Sequence, residues 1–265
     1  MRVHKEGASI DAPWLTRAFL LGDGVFETMR TYGRVPFLLD AHVERLLRSA
    51  DMFMINHSRT QQEIAGAVED AVSKDTSEGE LAVRAVLAST GELLVLTESW
   101  KGYPEEFYSR GLRLCTSTWR RIPESSFPSQ AKSTSYAQFL LIQREGVARG
   151  CDDAVILSAD GSVCETSRSN IFLVSEDGIS TPSLDTGVFP GITRRLVIEI
   201  AKELGEEVRE RYVDQEELIS SSEVILTSSL LEVAPVASID GRPMCGGGSG
   251  KSYREIRARF VERTR

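Results

Sequence analysis

The sequence predicts an α+β fold in two domains, a small α+β domain over residues 1–106 and a larger, β-rich domain over residues 107–265. Short runs in which apolar and polar residues alternate predict strands, and segments with apolar residues three or four apart predict amphipathic helices. Residues 100–106 are polar and contain glycine and proline, which is typical of a connection between domains. A chain of 265 residues is long enough for two domains, each with its own core.

The small domain is predicted to contain a hairpin, two helices and a second pair of strands. Residues 25–32 alternate as a strand, Gly33 and Arg34 turn the chain, and residues 35–39 return along it. Asp40 is placed to cap the next helix, since a carboxylate accepts hydrogen bonds from the free N–H groups of a first turn. The remaining predicted elements are a helix over residues 60–73 and strands over residues 80–88 and 92–98.

The large domain is predicted to combine several strands with two long helices and a last helix, which carries Arg254, Arg257, Arg259, Arg263 and Arg265. Asn170 begins one strand, and Thr181 and Pro182 are predicted to form a turn after it. Gly205 is typical of a residue that follows the end of a helix. The other predicted elements are helices over residues 135–149 and 193–204, and strands over residues 111–118, 154–157, 163–165, 207–212, 224–227 and 236–239.

Composition excludes several classes of protein. Hydrophobic residues make up 41% of the chain and charged residues 26%, which predicts a packed core. A net charge of −8 argues against a nucleic-acid partner, since such partners are bound by neutralising phosphates. The sequence has no signal-peptide pattern and no segment apolar enough for a membrane, so we expect a cytoplasmic protein. The 3 histidines lie in unrelated settings, and no metal site is predicted.

Lys132 is the first candidate for chemistry. It follows a proline- and serine-rich loop, residues 120–130, and precedes an apolar helix. A lysine in such a place is ordinarily a surface residue, so Lys132 alone carries little weight. Three features farther along the chain change this interpretation, because together they could hold a ring and an anion.

The first feature is Glu165, which ends a buried strand where an unpaired carboxylate is costly. A protonated pyridine nitrogen would pair with it, and the pair would make the ring a better electron sink. The second is residues 191–193, where a glycine before a helix lets free N–H groups approach an anion. The third is residues 227–229, a strand end with three hydroxyls, and Arg45 could complete a phosphate clamp.

A lysine able to form a Schiff base, a carboxylate for a ring nitrogen and a phosphate cup together predict pyridoxal 5′-phosphate as the cofactor. Lys132 would be both the covalent anchor and the proton carrier, and this role needs a pKa lowered by burial and nearby positive charge.

The chain resembles the class IV aminotransferases, the fold-type IV pyridoxal-phosphate enzymes, over most of its length. The resemblance is carried by GDGVFETMR and AHVERL in the small domain, AKSTSY around Lys132, and ETSRSNIF, TPSLDTGVFPGITRR and SSEVILTSSLLEVAPV farther on. Any one of these motifs would be weak, but their shared order and spacing are specific. Phe189 departs from the family pattern, which has an aliphatic residue there, and we expect this change to affect packing only.

The resemblance implies a β-barrel-like large domain and a homodimer with active sites near its interface. It also implies roles for particular residues. Lys132 matches the Schiff-base lysine, Glu165 the partner of the ring nitrogen, and Tyr136 the tyrosine that bonds the cofactor's O3′. Tyr136 lies four positions after Lys132, so a shared helix face is expected. The residues that match phosphate binders are Arg45, Ile192, Thr193 and Ser229, and Ser228 belongs to the same hydroxyl cluster.

The resemblance leaves three reactions open, and we favour transamination of a D-amino acid with a 2-oxo acid. The hairpin GDGVFETMRTY is closer to the D-amino-acid and lyase subgroups than to the branched-chain one, where a glycine stands in place of Thr28. The usual Arg-x-His pair of D-amino-acid enzymes is absent, and Phe26 replaces their tyrosine. Arg30 or Arg84 could instead bind the substrate carboxylate, because a guanidinium fork suits it.

A 4-amino-4-deoxychorismate lyase is the first alternative, supported by a tyrosine four positions after the lysine and by the motif TPSLDTG. A branched-chain L-amino-acid aminotransferase is the second. A non-enzymatic scaffold is a third possibility of a different class, and the joint presence of Lys132, Glu165 and Thr193 argues against it. A phosphate loop of nucleotide-binding proteins is rejected for CGGGSGKS, residues 245–252, because Cys245 replaces its first glycine; Lys251 in this segment could still lie near a substrate acid group.

Overall fold

The computed structural model describes residues 2–5, 8–11, 17–245 and 249–264. The helices are α1 (Arg17–Leu21), α2 (Leu39–Met52), α3 (Gln61–Lys74), α4 (Glu106–Ser109), α5 (Ala137–Ala148), α6 (Ile192–Glu203), α7 (Gln215–Ser220) and α8 (Lys251–Arg263). The strands are β1 (Arg2–Lys5), β2 (Ala8–Asp11), β3 (Gly24–Tyr32), β4 (Val35–Pro36), β5 (Leu81–Ala88), β6 (Leu93–Ser99), β7 (Leu112–Arg120), β8 (Asp153–Leu157), β9 (Val163–Thr166), β10 (Asn170–Ser175), β11 (Gly178–Pro182), β12 (Val208–Arg211), β13 (Glu223–Ser228), β14 (Glu232–Ile239) and β15 (Arg242–Pro243).

The first large sheet is antiparallel, in the order β4-β3-β5-β6, and its two faces serve different purposes. Strand side chains alternate between faces, so Val25 and Met29 pack against apolar residues of α2 and α3. Phe26, Thr28 and Arg84 lie on the opposite face, because Thr28 stands directly across from Arg84 in the β3–β5 pair. That second face lines a cleft.

The second large sheet has nine strands and contains a closed barrel. Strand order runs from β10 through β13, β14, β7 and β8 to β9, and β9 pairs back with β10 at Glu165 and Asn170. The barrel interior is packed with aliphatic residues such as Leu114, Ile171 and Leu226, whereas α6 and α8 cover its outside. This arrangement confirms the predicted α+β fold with a β-barrel-like C-terminal part. The boundary near residue 106 stays a prediction; α4 connects the two sheets there.

Several predicted boundaries were wrong for local physical reasons. Residues 37–39 do not continue the hairpin, since pairing ends at Pro36 and α2 begins at Leu39. The residue before α2 is Leu38, with φ 52°, so Asp40 lies in the first turn and is not the cap. Residues 181 and 182 end strand β11 and do not form a turn, because they pair with β12.

The side chain of Glu223 gives a structural reason for rejecting a phosphate loop at residues 245–252. Its carboxylate accepts hydrogen bonds from the N–H groups of Ser252 (3.1 Å) and Tyr253 (3.0 Å), which are the groups that an anion would need at the start of α8. Lys251 pairs with Glu255 on the same helix (3.7 Å) and is not among the described residues that line the cleft. Across the described ranges, every helix is too short or too polar to cross a bilayer.

Candidate active site

A cleft lies between the free face of the first sheet and the end of the barrel where β9, β10 and β13 meet. Its inner part is lined by Lys132, Glu165 and Thr193. Its wider part reaches Phe26 and Arg84 on the first sheet. The residues shared by both parts are Arg45, Lys132, Tyr136, Arg168, Ser228 and Ser229.

Lys132 is held at the junction by backbone pairing with β3. The Phe26 N–H donates to the Lys132 carbonyl (2.8 Å), and the Lys132 N–H donates to Ser49 Oγ (3.2 Å). Its Nζ lies 4.6 Å from the ring centroid of Phe189 and 5.0 Å from that of Phe26. Burial, with added repulsion from Arg45, lowers the pKa of Lys132 to about 8, although nearby carboxylates oppose the shift. A substantial neutral fraction near pH 8 suits a nucleophile and a proton carrier.

Glu165 is buried at the end of β9 beside the inner cleft, where it is only 4% exposed. Its Oε2 accepts a hydrogen bond from the Phe189 N–H (3.3 Å), and its Oε1 lies 3.3 Å from Arg121 Nε. That Nε–H points at the Gly187 carbonyl (3.1 Å), so Oε1 has no hydrogen-bond donor among the described residues. Burial raises the pKa of Glu165, with Arg121 opposing the shift. A carboxylate oxygen that has no hydrogen-bond donor in the described chain, beside the inner cleft, fits a protonated ring nitrogen.

The other end of the inner cleft is formed by the start of α6. The first N–H groups of a helix lack partners within the helix, and Gly191 precedes them as the N-cap residue. A Cβ on Gly191 would lie 2.0 Å from Asn170 Oδ1, so the close packing here requires glycine. Thr193 is buried beside this turn, and Thr227 Oγ1 is buried without a hydrogen-bond partner in the described chain. Free N–H groups and spare hydroxyls fit a phosphate.

Arg45 reaches the cleft from α2 and is fixed by Glu27. Its Nε and Nη2 donate to the two carboxylate oxygens of Glu27 at 2.7 and 2.8 Å, and its Nη1 donates to the Pro190 carbonyl at 2.8 Å. His42 Nδ1 lies 2.8 Å from the same carboxylate. Burial alone would raise the pKa of Glu27, but Arg45 and His42 hold it well below its usual range. The ionised Glu27 therefore orients the guanidinium at the cleft wall.

Tyr136 lines both parts of the cleft, but the expected shared helix face with Lys132 was wrong. Tyr136 is the N-cap residue of α5, and Lys132 lies in the irregular segment before that helix. The Tyr136 hydroxyl donates to the Ser167 carbonyl (3.1 Å), and its ring packs edge-on against Phe26 (5.5 Å). The two residues approach the cleft through the fold of the loop, and not through helical periodicity.

The two arginines predicted for the substrate carboxylate lie in different places. Arg84 lines the wider cleft, where its guanidinium carbon is 5.0 Å from the ring centroid of Phe26. Arg30 Nη1 instead donates to Glu232 Oε1 (2.7 Å), and Arg30 is not among the described residues lining either part of the cleft. Arg30 therefore lies outside the described lining of the cleft, paired with Glu232, and its role as a substrate ligand stays a prediction.

Several residues of the site were missed in the sequence. Glu27 could have been found, since strand alternation places it with Val25 and Met29 on the core face, where a carboxylate needs a partner. Phe189 was expected to affect packing only, yet its ring contacts Lys132 and also Arg45, at 4.5 Å. Arg121 gave no local signal, because its contacts with Glu165 and Gly187 join distant segments.

Comparison with known proteins identifies the class of enzyme. Residues 24–239 match the family model described as "Amino-transferase class IV", and the chain belongs to that family. Enzymes of this family depend on pyridoxal 5′-phosphate, so the predicted family, cofactor and enzyme class are confirmed.

Individual relatives cover most of the chain. A "Probable branched-chain-amino-acid aminotransferase" from Thermotoga maritima is 38% identical over 83% of this chain and 78% of the relative. An "Aminodeoxychorismate lyase" from Bacillus subtilis is 33% identical over 84% of this chain and 79% of the relative. The crystal structure of the Escherichia coli branched-chain amino acid aminotransferase superposes with a TM-score of 0.89, 26% identity, and coverage of 97% of this chain and 92% of that one.

The lowered pKa of Lys132 predicts how the apoprotein takes up its cofactor. Only the neutral amine attacks the aldehyde, so the rate of uptake should rise with pH and level off above about pH 8. An ordinary lysine, with a pKa of about 10.4, would still be accelerating there. Stopped-flow absorbance of apoprotein mixed with pyridoxal 5′-phosphate measures this profile, and a rate that climbs steadily to pH 10 would contradict it.

Proposed function

We propose that the enzyme transfers an amino group between an amino acid and a 2-oxo acid, with Lys132 as the covalent anchor. The observation that carries this proposal is the position of Lys132 Nζ between Phe26 and Phe189, with its pKa lowered to about 8. Bound pyridoxal 5′-phosphate supplies an electron-poor ring that delocalises the electron pair left when a proton leaves the substrate's α-carbon. Lys132 Nζ takes that proton and would deliver it to the cofactor's C4′, since its pKa is close to neutral pH.

The other residues bind and orient the cofactor. Glu165 Oε1, which lacks a donor among the described side chains, pairs with the ring nitrogen and keeps it protonated. Tyr136 lines the cleft together with Lys132, and its hydroxyl would exchange the Ser167 carbonyl for the ring oxygen of the cofactor. The phosphate is held by the start of α6 and the facing hydroxyls and guanidinium, namely Ile192, Thr193, Ser228, Ser229 and Arg45.

The wider cleft supports an amino acid with an apolar side chain. Val86, Leu94, Leu96 and Leu140 line it, and Arg84 provides a guanidinium for the substrate's carboxylate. This lining and the branched-chain relatives favour a substrate such as leucine. The hairpin pattern favours the D configuration, and we include both configurations in the test.

The lyase is the second candidate, and two observations favour it. The Bacillus subtilis relative bears that name, and two arginines besides Arg45 line the wider cleft, Arg84 and Arg168. Aminodeoxychorismate carries two carboxylates, which a pair of guanidinium groups could bind.

A homodimer is the proposed assembly. Large apolar side chains are exposed around the mouth of the cleft, including Phe19 (68%), Leu96 (53%) and Leu140 (41%). Exposed apolar residues grouped at one place are typical of a protein interface.

The function is tested by assaying D- and L-leucine, D-alanine and D-glutamate with 2-oxoglutarate or pyruvate, and aminodeoxychorismate separately. We expect equal amounts of a new 2-oxo acid and a new amino acid from one of the pairs. Lys132→Ala should lose about 10³-fold in rate, because it removes the proton carrier and the anchor. Lys251→Ala is the matched control and should keep its rate, since Lys251 pairs with Glu255 on α8 and is not among the described residues that line the cleft. Release of 4-aminobenzoate and pyruvate would replace the transaminase with the lyase.

Arg84 should control substrate affinity more than turnover. Arg84→Leu is expected to raise KM for the amino acid by about 10-fold, because the substrate carboxylate would lose its charged partner. Arg84→Lys should recover part of this loss, since it keeps the charge but not the fork. Steady-state kinetics measure the effect, and an unchanged KM in Arg84→Leu would rule out this role.

Leu96→Glu tests the dimer. Light scattering should give twice the mass of one chain for the wild type and a lower mass for the variant, since a charge would be buried at the interface. A wild type that is monomeric at micromolar concentration would contradict the proposed assembly.

A further inference from the structure

Glu232 joins the two sheets at a point next to the cleft. It begins β14, and its side chain is 11% exposed. Two residues of β3 in the first sheet donate to its Oε1: Arg30 Nη1 at 2.7 Å and the Tyr32 hydroxyl at 2.6 Å. Burial and the neighbouring carboxylate raise the pKa of Tyr32, so its hydroxyl remains a donor.

The last helix completes this cluster. Arg257 Nη1, on α8, lies 3.5 Å from Glu232 Oε2 and donates to the Val233 carbonyl at 2.8 Å. The Arg257 guanidinium carbon also lies 4.0 Å from the ring centroid of Tyr108. The carboxylate is therefore balanced by two guanidinium groups, and it connects β3, β14 and α8 at one place.

The backbone at Glu232 is in an unfavourable conformation. Its φ is 62°, in the left-handed region that side chains with a Cβ rarely adopt. A glutamate kept at such a position has to be held there by its surroundings, and strain of this kind is common at functional sites. The three donors to its carboxylate provide that restraint.

The restraint acts on the loop that contributes the cleft's hydroxyl groups. Glu232 stands directly across from Ser228 in the β13–β14 pair, and Ser228 Oγ accepts a hydrogen bond from the Leu231 N–H (3.3 Å). Ser228 and Ser229 line both parts of the cleft, and Leu230 lines the wider part. Strand β3, whose Arg30 and Tyr32 bind Glu232, also carries Phe26, which lines the wider part of the cleft.

We propose that Glu232, bound by Arg30 and Tyr32, is a positioning residue that sets the spacing between the β3 wall and the Ser228–Ser229 wall of the cleft. It contacts neither cofactor nor substrate and acts through the loop next to it. The proposal rests on the proposed function, because the loop matters only where it holds the phosphate and faces the substrate.

The test compares Glu232→Gln and Tyr32→Phe with Asp240→Asn in the holoenzyme. Asp240 is a matched control, since it follows β14 with φ 50° and its carboxylate accepts from Thr116 Oγ1 (2.6 Å) and Arg149 Nη2 (3.3 Å). None of these control residues lines the described cleft. The measured quantities are Tm, the rate of cofactor release followed by absorbance, and KM and kcat.

Glu232→Gln should release the cofactor about tenfold faster than the wild type, with a higher KM, because displacement of one cleft wall weakens every contact it makes. Tyr32→Phe should show a smaller increase of the same kind. The double variant should fall short of the product of the two single effects, since both act through one contact. Asp240→Asn should lower Tm while leaving release and KM at wild-type values.

Suppose that Glu232→Gln and Asp240→Asn lose the same amount of Tm. If the cofactor release rate and KM then change no more in Glu232→Gln than in Asp240→Asn, the proposal is overturned, since Glu232 would be purely structural. The proposal would also be overturned if Glu232→Gln and Asp240→Asn accelerated cofactor release equally. A wild type that binds no cofactor would contradict the proposed function and this inference together. A wild type that binds cofactor, with a Glu232→Gln variant that behaves like Asp240→Asn, would contradict this inference alone.

Discussion

One strand pairing organises the site: β9 returns to β10 with Glu165 across from Asn170. This pairing closes the barrel and leaves a buried carboxylate and a buried amide at the same end. The Asn170 side chain donates to the Phe189 carbonyl (2.8 Å), and the Phe189 N–H donates to Glu165 (3.3 Å). The chain then enters α6 at Gly191, so the residue that bonds to Glu165 directly precedes the turn that leads to the phosphate end of the site.

Charge balance decides which groups the cleft can hold. Glu27 and Glu165 are buried behind it, and each lies against an arginine, Arg45 and Arg121 respectively. Glu27 has both oxygens bound, so its negative charge is fully used to fix Arg45. Glu165 keeps one oxygen without a donor in the described structure. This difference supports the proposal that Glu27 orients a side chain whereas Glu165 binds a ligand.

The sequence predicted those parts of the site that depend on local pattern. A glycine before a helix and a glutamate at a strand end can be recognised in short segments, and residues 191–193 and Glu165, which were predicted that way, line the same cleft. Partners that come from distant segments were not found, as Arg121 shows. Arg30 and Arg84 could not be separated either, because both lie on the same face of paired strands and only the position of Glu232 distinguishes them.

The central claim is that Lys132 bonds covalently to the cofactor. Borohydride reduction of the purified holoenzyme, followed by proteolysis and mass spectrometry, tests it directly because reduction makes such a bond permanent. The account predicts a phosphopyridoxyl group on the peptide that contains Lys132. The same group on another lysine, or no modified peptide from protein saturated with pyridoxal 5′-phosphate, would contradict it.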